Sequence, residues 1–247
     1  MKCLFYLLVL FCCFSSLAIA DKSELKIATF IEPPFVDLVG NKLVGENIEI
    51  AKLLAMSVGL QPIFIRCPFA RCLTMVKRGQ ADMIFGLRKF PEREKELIFL
   101  DPPSMIQHYP LRFFVLSSNK IIIDSFDDLK KLSIGTLRGG SYFELFDNSK
   151  SITKVALTSR EQLVHMLLKG RIDTFIEREE SILPLLPKEV YQEKLSLANY
   201  QYDKAVNSYI AISKLSNIKV YSERLSQQLQ KFATDGTIQN IRMKSYK

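Results

Sequence analysis

The chain has 247 residues, 48% of them hydrophobic, and a formal charge of +8. That much apolar material supports one large core or two smaller ones and excludes a disordered or low-complexity chain. The positive balance suits an anionic solute, an anionic membrane or simple solubility; no arginine-aromatic recognition motif accompanies it, so nucleic acid is not an expected partner.

In chain order, the first residues read as an export signal: Lys2, an apolar run from Leu4 to Phe14, then Ala18-Ile19-Ala20 before Asp21. Cleavage after Ala20 is expected, because the apolar stretch is short for a membrane span of ~20 residues. Removing residues 1–20 takes away Cys3, Cys12 and Cys13 and leaves Cys67 and Cys72 in an oxidising compartment. One disulfide between them is expected; the other reading makes Cys72 an apolar residue on a helix face with Met75 and Val76. His108 and His165 lie far from the cysteines without ligand spacing, so neither a metal nor another cofactor is expected.

Residues 25–30 (LKIATF) read as a strand that Pro33-Pro34 ends, since proline has no ladder donor. A loop leads to Gly45 and a helix with Ile48, Ala51, Leu54, Ala55 and Val58 on one face and Gly59 at its exit. Residues 62–66 form a second strand, a helix runs from Pro68 to Gly79, and residues 81–85 form a third strand. This βαβαβ order predicts a largely parallel sheet with right-handed crossovers. Gly86 then turns the chain, and Arg93 lies on the connection to a short strand at 97–99, a usual position for a binding residue in an open α/β sheet. The competing reading leaves Arg93 in a solvated 92–95 charge run.

A fresh α/β pattern starts after residues 104–110. Ser125 caps a short helix with Asp128, and residues 132–136 form a strand. Gly139-Gly140 precedes Ser141, which is expected to open a helix as a capping box with Glu144 and to make a small anion site. Ser159 and Gln162 cap another helix closed by Gly170, and residues 171–176 follow as a strand. After a strand at 209–213, Ile218, Tyr221, Leu225, Leu229 and Phe232 space an amphipathic helix that ends at Asp235-Gly236.

The order Gly86-x-x-x-x-Pro91-Glu92-Arg93, an apolar triplet and Asp101-Pro102 resembles the Gly-x-Thr-x-Thr-x-x-Arg signature of family 3 extracellular solute-binding proteins. Arg71-Cys72-Leu73…Gly79-Gln80-Ala81-Asp82 and the stretch GRIDTFIEREE resemble further blocks of that family, and the resemblance spans residues 24–243. It implies a periplasmic-binding-protein-like α/β fold: two lobes with mainly parallel sheets joined by a two-crossover hinge. Lobe 1 would comprise residues 21–105 plus 208–247, and an inserted lobe 2 residues 106–207. The implied function is capture of a small carboxylate-bearing solute, an amino acid or related organic anion, by lobe closure in the periplasm. The implied partner is an ABC permease, with the binding protein a monomer.

By the same resemblance, Arg93 clamps the carboxylate with its planar fork, and Ser141 with Gly140 faces it from the second lobe. Gly86 shapes the turn, and Phe30 or Phe35 covers the ligand. Asp82 reads better as a strand-entry residue than as a site residue. Three departures bear on the solute. Arg88 and Phe90 replace two threonines, and Arg178, beside Glu177 and Glu179, replaces the acid that holds an α-ammonium. They weaken the case for a simple α-amino acid and favour an anion; the other reading points Arg88 and Arg178 into solvent, paired with Glu92 or Glu179. Rival functions on this fold are a cyclohexadienyl or arogenate dehydratase, with Glu177 as general acid, and a stand-alone sensor.

Overall fold

The computed structural model describes residues 23–245; the export signal and its cleavage position lie outside the described residues. The first part of the chain contains β1 (Glu24–Thr29), β2 (Asp37–Val39), β3 (Lys42–Val44), α1 (Glu46–Ser57), β4 (Gln61–Arg66), α2 (Phe69–Lys77), β5 (Met83–Leu87), α3 (Pro91–Glu94), β6 (Leu97–Phe99) and β7 (Met105–Gln107). Then come β8 (Leu111–Leu116), β9 (Ser133–Leu137), α4 (Glu144–Asn148), β10 (Thr153–Leu157), α5 (Arg160–Leu168), β11 (Thr174–Arg178), α6 (Glu179–Ile182), α7 (Lys188–Lys194) and β12 (Leu195–Tyr202). The chain closes with β13 (Val206–Ser213), α8 (Ser222–Thr234) and α9 (Thr237–Ser245).

All of these strands except β2 and β3, which pair with each other, build two separate sheets, one per lobe. The first has the order β4-β1-β5-β13-β6, with β7 also pairing β13, and the second the order β10-β9-β11-β8-β12. In each, the βαβ crossovers lay down a parallel trio: β4, β1 and β5 in one, β10, β9 and β11 in the other. The strands on which the chain passes between lobes run the other way. Thus β8 is antiparallel to β11, and the returning β13 is antiparallel to β5, β6 and β7.

Side-chain alternation assigns each strand residue to one of two cores per lobe. In the first lobe Leu25, Ile27, Met83 and Phe85 pack under α1 and α8 with Leu54, Leu225 and Leu229. Their neighbours Ala28, Ile84 and Leu87 pack on the opposite face with Cys72 and Val76 of α2. In the second, Phe113, Ile134 and Ile176 meet Phe146, while Phe114 and Phe175 meet Leu163 and Leu167 of α5. Burial on both faces explains why runs such as MIF and FFV are apolar without interruption.

One device recurs in both lobes at the glycine exit of a helix. Asp82 after Gly79 accepts the Lys26 N–H at 2.7 Å, and Asp173 after Gly170 accepts the Ser133 N–H at 2.7 Å and the Ser133 hydroxyl at 2.6 Å. Each carboxylate ties the entry of one parallel strand to the start of its neighbour. β11 begins at Thr174 rather than at Arg171, and Glu177 and Arg178 fall at its carboxyl end. The expected loop after Phe35 contains the β2–β3 hairpin, which turns at Gly40 with φ 60°. The Cys67 and Cys72 Cα atoms are 5.4 Å apart at the start of α2, inside the range a bridge spans.

Candidate functional site

The parallel trios of the two sheets present their carboxyl ends to one cleft, the place where open α/β sheets leave backbone groups and loop side chains for ligands. From the first lobe, β1 delivers Phe30 and Glu32, the turn after β4 delivers Phe69, and β5 delivers Gly86, Arg88 and Arg93. From the second, β9 leads into Leu137, Gly140, Ser141 and Tyr142, β10 leads to Arg160 at the first turn of α5, and β11 ends in Glu177 and Arg178. They enclose an inner cavity of about 70 Å³. An outer groove of about 660 Å³ shares Arg88, Gly140, Ser141 and Tyr142 with it and continues past Phe90, Asp147 and Lys154.

Arg93 stands apart from its neighbours in sequence. Glu92, Glu94 and Lys95 are exposed, whereas Arg93 is 4% exposed, so the solvated charge run does not include it. Its Nη1 donates to the Arg88 carbonyl at 3.0 Å, and its Nη2 reaches across the cleft to the Gly139 carbonyl at 3.1 Å. The guanidinium lies over the Phe90 ring, 4.5 Å from the centroid. Burial lowers its pKa to about 10, with the like charge of Arg88 adding to the effect and Asp147 opposing it.

The second cluster centres on Arg160. Its Nη2 donates to Glu32 Oε1 at 2.8 Å across the cleft, and its Nε lies 3.4 Å from Glu177 Oε1. Burial disfavours the Arg160 charge, but the attraction of Glu177 and Glu32 outweighs it and carries the guanidinium above its usual value. Glu32 is held above the usual carboxylate range, because burial dominates over the opposing pull of Arg160. Arg178 is lowered, mainly by burial, and its Nε donates to the Tyr109 carbonyl at 3.2 Å. Arg88 and Arg178 therefore line the cavity and do not pair with Glu92 or Glu179. The nearest acid to Arg88 is Asp147, 3.9 Å away on the other lobe.

Two glycines are required by close approach. Gly86 has φ +80°, and a Cβ there would stand 3.2 Å from the Phe30 ring and 3.3 Å from a Glu32 oxygen. A Cβ on Gly140 would sit 2.9 Å from the Leu137 carbonyl.

The loop after β9 differs from expectation. Ser141 does not open a helix: α4 begins at Glu144 and spans five residues, and the Ser141 hydroxyl donates to Asp147 Oδ2 at 2.8 Å. Asp147 also accepts the Tyr142 N–H, so this carboxylate fastens the turn, and the capping box with Glu144 and the helix-end anion site both drop out. Phe35 does not line the cleft. It is 6% exposed, its carbonyl accepts the Asn47 N–H, and Phe30 and Phe69, edge to face at 4.8 Å, supply the aromatic wall.

Sequence reasoning passed over Arg160, Tyr142 and Phe69. The Tyr142 hydroxyl accepts the Leu137 N–H at 2.7 Å, and burial raises its pKa. Arg160 carried one signal, its place in the first turn of a helix that follows a parallel strand. Among the described residues, no group of His, Cys, Asp and Glu is placed to hold a metal, and no helix is long and apolar enough to cross a membrane.

Two α/β lobes enclosing a charged cleft define the class of protein. A profile of the bacterial extracellular solute-binding proteins, family 3, matches residues 25–247, and the chain belongs to that family. It is 30% identical over 107 residues to the arginine-binding extracellular protein ArtP of Bacillus subtilis (strain 168), a match spanning 43% of this chain and 40% of that relative's length. The fold is similar to that of an ancestral arginine-binding protein bound to arginine, with TM-score 0.75 and 23% identity over 92% of this chain and 99% of that one. It is also similar to AbpA, an amino acid ABC transporter substrate-binding protein of Streptococcus pneumoniae Canada MDR_19A bound to L-arginine. There the TM-score is 0.72 and the identity 23%, over 91% and 94% of the two chains.

Proposed function

We propose that this chain captures a small carboxylate-bearing solute, an amino acid or related organic anion, in the cleft by closure of its lobes and hands it to an ABC importer. The observation that carries the reading is Arg93: a guanidinium buried in the cleft that, among the described residues, bonds carbonyl oxygens and has no carboxylate within ion-pair distance. A buried cation of this kind gains most from an arriving anion. Ser141, Gly140 and Tyr142 contribute polar groups from the opposite lobe.

Several parts of the account belong to the same proposal: export to the periplasm with cleavage after Ala20, a Cys67–Cys72 bridge formed there, and a monomer that works with a permease. The proposed lobe limits, 21–105 with 208–247 and 106–207, fall within β7 and near the start of β13, the paired strands on which the chain leaves and re-enters the first sheet. The relatives named for arginine and for amino acid transport support a solute of amino-acid size. Capture is favoured over the dehydratase alternative because Glu177 faces Arg160 with one oxygen and accepts the Arg178 N–H with the other.

A thermal-shift screen of residues 21–247 against amino acids, di- and tricarboxylates and polyamines tests the reading. Ligand binding to the folded state alone raises the melting temperature. A carboxylate-bearing solute is expected to raise it, and Arg93→Ala to remove the rise. A rise confined to polyamines would contradict the proposal.

A further inference from the structure

The charges of the inner cavity are not balanced from within. Four guanidinium groups line it, those of Arg88, Arg93, Arg160 and Arg178, against two carboxylates, those of Glu32 and Glu177. Both carboxylates are already engaged by one arginine: Arg160 donates to Glu32 at 2.8 Å and faces Glu177 at 3.4 Å. The acidic half of the cleft thus holds a cation that belongs to the chain. The other guanidiniums face the opposite situation. Arg93 bonds the Arg88 and Gly139 carbonyls and Arg178 bonds the Tyr109 carbonyl. Neither guanidinium has a carboxylate within ion-pair distance among the described residues, and the longer-range attraction of Asp147 on Arg93 and of Glu177 and Glu180 on Arg178 offsets their charge only in part. Arg88 Nη1 is buried and makes no hydrogen bond among the described residues, its one ion-pair contact being Asp147 Oδ2 at 3.9 Å in the outer groove.

A solute carrying an ammonium group would find both acids taken and like charges on the remaining walls, where low dielectric strengthens repulsion. A second acidic group on the solute would meet the opposite, because a guanidinium accepts a carboxylate on its planar fork.

We propose that Arg160 is a resident cation filling the acidic half of the cleft, so that the captured solute is an organic anion without an ammonium group, its acid groups shared between Arg93 and Arg178. The proposal rests on the reading of the cleft as a carboxylate-capturing site and names the class of solute within it. Arg160 is then a specificity-determining residue: it answers the acids so that the ligand need not.

Calorimetric titration of residues 21–247 with matched pairs tests this: succinate against L-aspartate and glutarate against L-glutamate. In each pair the two differ by the α-ammonium alone. At least one ammonium-free member is expected to bind, at least tenfold tighter than its amino acid partner. In Arg160→Ala, which frees Glu32 and Glu177 for a ligand cation, that preference should fall at least tenfold. Arg160→Lys retains a cation at the site and should retain the preference, which keeps the test decisive if the alanine variant does not fold. An amino acid that binds as tightly as its partner overturns the proposal and leaves the capture reading standing. Failure of every pair to bind the parent protein overturns the proposal, whereas the capture reading falls only if no carboxylate-bearing solute of the thermal-shift screen binds.

Discussion

Replacing Arg93 by alanine should separate ligand affinity from fold stability. A guanidinium has five N–H donors, and the bonds to the Arg88 and Gly139 carbonyls occupy two of them, which leaves a fork for an acid group. Hydrogen bonds to a charged group contribute a net ~1.5–3 kcal/mol each, and truncating one partner of a buried charge pair costs ~2–5 kcal/mol. Arg93→Ala should therefore weaken binding of the best solute from the thermal-shift screen by about 30-fold to a few thousand-fold. The unliganded protein should respond much less. The contact with Phe90 is a gain of ~0.5–2 kcal/mol, and the lowered pKa of Arg93 shows that burial of its charge opposes it. A net change of about 1 kcal/mol moves the melting temperature of a chain this size by about 2–4 °C. Arg93→Lys should restore part of the affinity, because a point charge lacks the fork. Calorimetry with the parent and both variants reads all of this. If Arg93→Ala binds the solute as tightly as the parent, Arg93 is a structural residue of the α3 turn and the site assignment fails.

Affinity for an anion should be flat from neutral pH to about pH 9 and then fall by up to about tenfold per unit above pH 10. A bound anion raises the Arg93 pKa above its free value of about 10, so the complex holds the proton more firmly and loses its advantage as pH rises through that value. Constant affinity to pH 11 would contradict this. Glu32→Gln should open the unliganded protein, because it weakens the bond to Arg160 that spans the lobes, an effect of ~1.5–3 kcal/mol on closure. Small-angle scattering should show a larger radius of gyration than the parent; an unchanged radius would mean that this pair does not hold the lobes together. Mass spectrometry of non-reduced peptides from periplasmic protein should recover Cys67 linked to Cys72, whereas two alkylatable thiols would exclude the bridge.

How much was legible depends on whether a residue's role is local. Of the two trios, β1, β4, β5, β9 and β11 could be read from short apolar runs, whereas β10, TKVAL, lies at a sheet edge with Thr153 and Ala156 exposed and could not. The placement of Arg93 could be read from the strand and the Gly86 turn before it. Arg160 was hidden because its partners, Glu32 and Glu177, lie 128 and 17 positions away, and its own neighbourhood reads as an ordinary helix start. Ser141 was misassigned for the opposite reason. A good local pattern with Glu144 competed with a bond to Asp147, and the latter also satisfies the Tyr142 N–H, which the capping box would leave unmade. Phe30 and Phe35 are both buried aromatics near one proline pair; only the sheet, which turns Phe30 toward Phe69, distinguishes the cleft wall from the core. The strand β12, LSLANYQY, carries polar residues on its exposed positions and lies at a sheet edge, so its pattern is weak.

The most direct measurement is a crystal structure of residues 21–247 grown with the tightest-binding solute from the screen. The account predicts a carboxylate within about 3 Å of the Arg93 guanidinium nitrogens, inside the cleft between the two sheets. A solute bound outside the cleft, or inside it with an apolar or cationic group facing Arg93, would contradict the account.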